Sequence, residues 1–547
     1  MDTGHNETSD IGGTTLLNYL ETELKQNGNL AKDTNAKNEN TNRVELGGTA
    51  TLEALVAVAR AKAEVIFSDA YCQRVNRSRT LVEKWIREGR VMYGITTGFG
   101  ALCDRVISEE ETAQLQKNII LSHSTSVGEP LSIEQTRAVM FMMLQNMGQG
   151  FSGVSLALLE RIRLMLNLDL IPFAPREGSV GYLSVEAHIG MAIIGLGKIF
   201  ENGVPVESRL VLHKHGLEPF VLGAKEGLAL ISGTTSPTAL AALAIFDMKT
   251  STLSADIIGA LSLEANHGNI KAFDERLMQA RPYAEQGNTA ANVRMLLQDS
   301  EVIKASEGHR LQDALSLRAI PQLHGAVKRM IQDAVRTVEE EMNTCSDNPI
   351  IWPEGDDGHA MSGCHCDSSY VGLAMDSAAI AATTLAKMSE RRNYRLITEH
   401  LSGMPWFLIQ NPGLNSGLMI PQYTQAGLLN DMKILSHPAS VDSIPTCGGQ
   451  EDYVAMGYNA AKKALSIAEK LEYILAIELL SVYQAHQFLD PGVKPASVTA
   501  AILKEIGKHI PVSSQDQFLY PHMEYLKALI HSGRLVEIAE SYVGSML

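Results

Sequence analysis

The chain has 547 residues, 45% hydrophobic and 20% charged, enough apolar material for a large core in one big domain or several ordinary ones. Its formal net charge of −16 argues against nucleic acid as a partner, because phosphate binding needs a basic face. Six scattered cysteines (Cys72, Cys103, Cys345, Cys364, Cys366 and Cys447) make no disulfide framework, and the N-terminus lacks a basic start followed by an apolar stretch. A reducing, cytoplasmic setting is expected, with no uncharged apolar run of membrane-spanning length.

Residues 1–45 are rich in Asn, Thr, Asp, Glu and Lys, with one apolar patch at Leu16-Leu17-Asn18-Tyr19-Leu20. Such a composition buries too little apolar area to offset the entropy of ordering, so a disordered polar tail is expected. From residue 46 to 547 the pattern is mostly helical. Apolar residues recur at helical spacing in Leu52–Arg60 and Thr112–Ser122. Longer Ala-, Leu-, Ile- and Met-rich helices are predicted over 184–200, 237–266, 323–343, 371–397, 424–436 and 453–485. Several carry apolar residues on more than one face, which predicts an all-α bundle with a small N-terminal layer, its helices buried in the core or between subunits.

The breaks between these segments are Gly-, Ser- and Pro-rich: 94–100, 178–181, 232–237, 403–417 and 437–449. Long loops on a rigid helical frame are where chemistry tends to sit. Tyr93-Gly94-Ile95-Thr96-Thr97-Gly98-Phe99-Gly100 flanks a tyrosine with glycines, so its phenolate could swing over a site and remove a proton. Ser122-His123 offers a hydroxyl and an imidazole to a polar ring. Gln312 and Arg318 lie in Gln312-Asp313-Ala314-Leu315-Ser316-Leu317-Arg318, where a guanidinium suits a carboxylate. Gln450-Glu451-Asp452 adds an acid that could pair with an imidazole N–H, although a Glu beside an Asp is as readily a helix N-terminal charge. Cys364-His365-Cys366 has no second Cys/His pair at zinc-like spacing, so thiols lining a loop are expected and no metal.

Taken together and in this order, these motifs resemble the aromatic amino acid and histidine ammonia-lyase family over residues 46–547. Ser346-Asp347-Asn348-Pro349, Asn415-Ser416-Gly417-Leu418 and His437-Pro438-Ala439-Ser440 are similar to histidine-specific text. So are Ser122-His123 and Gln450-Glu451, where aromatic-substrate members tend to carry other pairs. The resemblance implies a central helical bundle of the ammonia-lyase/fumarase-like type and a homotetramer whose active sites draw on more than one subunit. It also implies roles: Tyr93 as base, Arg318 as carboxylate clamp, and His123 and Glu451 on the substrate ring.

Gly178-Ser179-Val180-Gly181-Tyr182-Leu183 departs from that family at its centre. There an Ala-Ser-Gly triad follows Gly-Ser-Val-Gly and cyclises to methylidene-imidazolone, the electrophile that captures the substrate amine. Here Gly181 runs straight into Tyr182. Ser232 stands where an Asn contacts that electrophile, Leu315 where a Tyr lies near it, and Cys366 in a segment that packs a phenyl beside it. The departures gather around the electrophile, while base, clamp and ring contacts remain. A cofactor-free 1,2-elimination is therefore expected, on a histidine-derived trimethylammonium betaine. A quaternary nitrogen has no lone pair to be captured and leaves as neutral trimethylamine. Tyr182 could offer its aromatic face to that cation. The arrangement resembles ergothionase-type lyases. The alternatives are histidine ammonia-lyase proper, which needs the triad, and a catalytically inactive binding protein.

Overall fold

The computed structural model describes residues 43–92, Ile95, Thr97 and 111–547. Apart from its last three residues, the expected polar tail lies outside that range. Those three belong to a strand, Arg43–Leu46, paired in parallel with Glu64–Phe67. Between the two strands runs the helix Leu52–Ala59, whose N-cap Thr51 hydroxyl accepts from the Ala54 N–H.

Five helices form the frame: α1 (Ile133–Met147), α2 (Thr235–Ala265), α3 (Ile320–Met342), α4 (Ser369–Leu396) and α5 (Gly457–Ala485). Helix α2 packs along α5, α5 along α4, and α3 against both α2 and α4. Ser132 and Gln135 start α1 with a reciprocal capping box, and every α1 position from Thr136 onward is buried. Helix α2 is buried along its length except for a stripe at Phe246, Lys249, Thr250 and Leu253, which explains its near-uniform run of Ala, Leu, Ile, Ser and Thr: small side chains let neighbouring helices approach closely. Part of the polar surface this traps is paired within the core, although the Ser251 and Ser254 hydroxyls have no hydrogen-bond partner among the described residues. Arg392 on α4 makes a two-pronged, fully buried pair with Glu478 on α5 (2.6 and 2.9 Å), and Ser262 and Ser389 donate to the same carboxylate.

Two expectations need correction. The predicted helix over 184–200 ends at Ile193, because Gly195 adopts a left-handed conformation (φ 77°) and a hairpin follows. That hairpin pairs Lys198–Glu201 with Val204–Glu207 through Asn202-Gly203, both at positive φ (52° and 78°). Asn-Gly is a strong two-residue hairpin signal, and helix periodicity masked it. Strands are few, in keeping with the mostly helical expectation: among the described residues they form four two-stranded sheets. The second concerns Glu226–Ala265, which is apolar and long enough to cross a membrane by composition, yet its apolar window is wholly buried inside the bundle.

Candidate active site

The loop before the helix Ser184–Ile193 is held by its backbone. Leu183 sits at φ 81°, ψ −74°, a strained conformation for a residue with a side chain, and the Ser184 N–H closes a tight turn onto the Tyr182 carbonyl (3.2 Å). The Leu183 N–H donates to the Ile231 carbonyl (3.0 Å), and the Ser179 hydroxyl donates to the Tyr182 carbonyl (3.1 Å). A Cβ on Gly181 would stand 2.6 Å from Ser368 Oγ, and one on Gly457 only 2.2 Å from it. Glycine is needed at Gly457, where the Ser368 Cβ and carbonyl oxygen (2.6 and 2.8 Å) also leave no room, because the loop, the start of α4 and the start of α5 meet there.

Buried Glu186 accepts from the Thr235 hydroxyl and the Ser236 N–H (both 2.9 Å), tying the start of α2 to the same place. Burial pushes its carboxyl above the usual range. The amino ends of α2, α4, α5 and Ser184–Ile193 thus converge on the loop, and their peptide dipoles favour negative charge in its vicinity.

Three of the predicted residues gather here. The Tyr182 hydroxyl donates to Glu451 Oε2 (3.2 Å), which also accepts from the Thr446 hydroxyl (3.0 Å). Burial, reinforced by the Glu451 charge, pushes the Tyr182 phenol well up, so it stays a neutral donor. His123 ends the helix Thr112–His123, with Nδ1 2.8 Å from the Ile119 carbonyl. A carbonyl only accepts, so Nδ1 carries the proton and Nε2 is the acceptor nitrogen of the neutral ring. Burial holds His123 below the usual imidazole value, while the Ile119 carbonyl and Glu451 pull the other way. Ser122 is exposed, its hydroxyl 3.0 Å from His123 Nδ1. Gln450 is also exposed, beside Glu451. Tyr93 lies outside the described residues.

Ser232 lies below the loop, where its hydroxyl accepts from the Asn348 N–H (3.0 Å). Beside it Lys225 and Asp347 form a fully buried ion pair (2.8 Å). Sequence reasoning missed Lys225, Glu186 and Thr446. Asp347 falls in a segment already singled out, but nothing local marks its partner 122 residues away.

Gln312 and Arg318 are elsewhere. Asp313 accepts from the Asn269 N–H (2.6 Å), and Arg310 donates to the Asn266 carbonyl (2.8 Å), both just past the C-terminal end of α2. With its amide oriented to satisfy its neighbours, Gln312 accepts from Arg318 Nη2 (2.6 Å) and Nε (2.9 Å). The loop of Tyr182 lies at the opposite end of this 31-residue helix, about 45 Å away. Within one chain the clamp and the ring contacts cannot hold the same small molecule.

The residues present do not fit methylidene-imidazolone. That ring is made from an Ala-Ser-Gly tripeptide, and the loop passes from Gly181 through Tyr182 to the Leu183 turn with none to cyclise. As for metals, among the described residues one trio, Asp247, Glu472 and His531, brings its donor atoms within 4.8 Å of one another. Arg60 already pairs with Asp247 (2.7 Å) and Lys527 with Glu472 (3.5 Å), so the trio reads as an ion-pair network.

A five-helix frame with helix amino ends focused on one polar loop defines a lyase of the helical ammonia-lyase class. A sequence profile of that class, aromatic amino acid lyase, matches residues 50–508. Histidine ammonia-lyase from Caldanaerobacter subterraneus is 42% identical over 495 residues, covering 90% of this chain and 97% of its own. Among solved structures, histidine ammonia-lyase from Trypanosoma cruzi aligns with a TM-score of 0.86 at 32% identity, covering 92% of this chain and 96% of its own. The ergothioneine-degrading enzyme ergothionase from Treponema denticola aligns at 0.83 and 25%, covering 90% and 99%. The chain belongs to the aromatic amino acid lyase family and is a carbon–nitrogen lyase.

Proposed function

We propose that this lyase eliminates an amine from a histidine-like, imidazole-bearing substrate, giving a urocanate-like acrylate without a protein-derived electrophile. The observation that carries this reading is Tyr182, which stands in the loop where the electrophile would be made and bonds Glu451. The names of the relatives support the imidazole, as does Glu451, whose charge acts on His123. No described residue bonds Glu451 Oε1, which is the atom assigned to the ring N–H of the substrate.

Without an electrophile the nitrogen must leave unaided. A trimethylammonium group does so as neutral trimethylamine: the base takes a proton from Cβ, the C–N bond breaks, and its electron pair departs with nitrogen as the C=C bond forms. The resemblance assigns the base to Tyr93. The Tyr182 ring supplies an aromatic surface for the cation, and Glu451 a negative charge near it. The likeness to ergothionase supports this leaving group at the level of the family.

Arg318 must come from another copy of the chain, since it lies a helix length from Tyr182. Apolar side chains left exposed on α4, Tyr370, Leu373 and Ile380, are where such a copy would pack in the proposed homotetramer.

A second reading, histidine itself losing ammonia, is favoured by sequence similarity, the 42%-identical relative being a histidine ammonia-lyase. Incubation with histidine, its N-trimethyl betaine and ergothioneine separates the two by the ultraviolet band of the acrylate. Product from a betaine alone supports the first reading; product from histidine supports the second and removes the first.

A further inference from the structure

Cys364 and Cys366 are i and i+2 of a β-turn closed by the Asp367 N–H donating to the Cys364 carbonyl (3.2 Å). The turn is pinned at both ends. Asn348 Oδ1 accepts from the Gly363 N–H (2.9 Å), and Asp367 Oδ1 accepts from the Ser369 N–H (2.9 Å) at the start of α4. The two sulfurs consequently stand 4.0 Å apart. Cys364 is exposed and lines a cleft of about 830 Å³ together with Glu341, Trp352, His365 and Tyr370, whereas Cys366 is partly buried. Among the described residues no third His, Cys or carboxylate joins the two thiols in one coordination sphere, so the geometry is that of a dithiol and not of a metal site.

The turn is also joined to the candidate active site. Ser368, two residues beyond Cys366, is the side chain against which Gly181 packs, and both thiols lie within electrostatic reach of the Tyr182 hydroxyl. Neither thiol has a part in the elimination described above.

We propose that Cys364 and Cys366 form a reversible intrachain disulfide by exchange with a low-molecular-weight disulfide, and that its closure shifts the Gly178–Leu183 loop. The Cys364 thiolate attacks one sulfur of the small disulfide and expels a thiolate, leaving a mixed disulfide on Cys364. The Cys366 thiolate then attacks Cys364 Sγ and expels the second. Two protein thiols are oxidised, the small disulfide is reduced to two thiols, and the two protons end on the leaving thiolates. Burial and the neighbouring Cys364 push the Cys366 thiol up to about 12, which leaves Cys364 as the attacking group. Capture of Cys364 removes that neighbouring charge and eases ionisation of Cys366 for the second step. Closure to a bond of about 2.05 Å requires the sulfurs to travel about 2 Å, and Ser368 passes the tightening of the turn to Gly181.

The test uses the full-length protein equilibrated in glutathione buffers of graded oxidised-to-reduced ratio, then quenched with an alkylating reagent and digested. The peptide containing residues 364–366 should become lighter by two hydrogens as the ratio rises and return with dithiothreitol. Cys366→Ser should instead accumulate a glutathione adduct on Cys364. Alkylation of both thiols at every ratio, or a stable glutathione adduct in the unaltered protein, overturns the dithiol. In the oxidised sample, amide hydrogen exchange across residues 178–184 should change at least threefold relative to the reduced one. Unchanged exchange in protein shown by mass to be oxidised overturns the link to the loop.

Discussion

The Tyr182 hydroxyl donates to Glu451 Oε2 at 3.2 Å, joining the loop that precedes Ser184–Ile193 to the segment that precedes α5 across 269 positions of sequence. One residue of the Gly178–Leu183 loop therefore orients the acid assigned to the substrate ring.

Tyr182→Phe keeps the ring and removes that bond. Hydrogen bonds to charged groups contribute about 1.5–3 kcal/mol, and the half-exposed setting places this one at the low end, so kcat/KM should fall about tenfold, mainly through KM. Steady-state kinetics on the productive substrate read this, and a variant indistinguishable from wild type removes Tyr182 from the site.

The distance of about 45 Å between Arg318 and Tyr182 along α2 predicts complementation between subunits. Arg318→Ala and Glu451→Ala should each be nearly inactive alone. Refolded together in equal amounts, they should recover about a quarter of the wild-type rate, the share of sites receiving both intact residues in random assembly. No recovery in a mixture shown to form mixed oligomers would mean that both residues serve one chain's site.

Arg392 and Glu478 are fully buried, and Ser262 and Ser389 depend on the same carboxylate. Arg392→Met leaves a charge without its partner in the core and should cost about 3–5 kcal/mol. Replacing both partners with apolar residues of similar volume should recover much of that loss. Denaturant unfolding of the two variants makes the comparison.

His531 lies 2.8 Å from Glu472 and 3.8 Å from Asp247, with Arg60 and Lys527 packed around the same group. Burial works against its charge, but the Glu472 bond and the charges of Glu472 and Asp247 outweigh burial and Arg60, raising it above the usual imidazole value. A raised folded value means that protonated His531 favours the folded state. That contribution is complete below the unfolded value of about 6.5 and is lost as pH rises through the folded one. The melting temperature should fall over that window in the wild type and less so in His531→Gln. Equal slopes in the two proteins would contradict the pairing.

Much of the frame was legible beforehand. The stretches 237–266, 371–397 and 453–485 fall within a few residues of α2, α4 and α5, because a helix buried on several faces must be apolar on several faces. The hairpin through Asn202-Gly203 was misread: a local turn signal competed with a longer apolar periodicity and lost. In the candidate site, the loop's departure at Gly181-Tyr182 and the acid at Glu451 were visible as residues, but their bond was not, since no local pattern encodes a pairing over 269 positions.

The sequence by itself determined the family, the helical frame and the chemical inventory, because these follow from periodicity and from the identity of short motifs. Only the tertiary structure decided which of those motifs meet. It joined Tyr182 to Glu451 and set Glu451 within electrostatic reach of His123, and it set Cys364 against Cys366 beside the same loop. It also sent Arg318 to the far end of α2. The physical reason is the stiffness of a 31-residue helix: residues linked to its two ends are held apart by its length, so the proposed sharing of one substrate calls for a second copy.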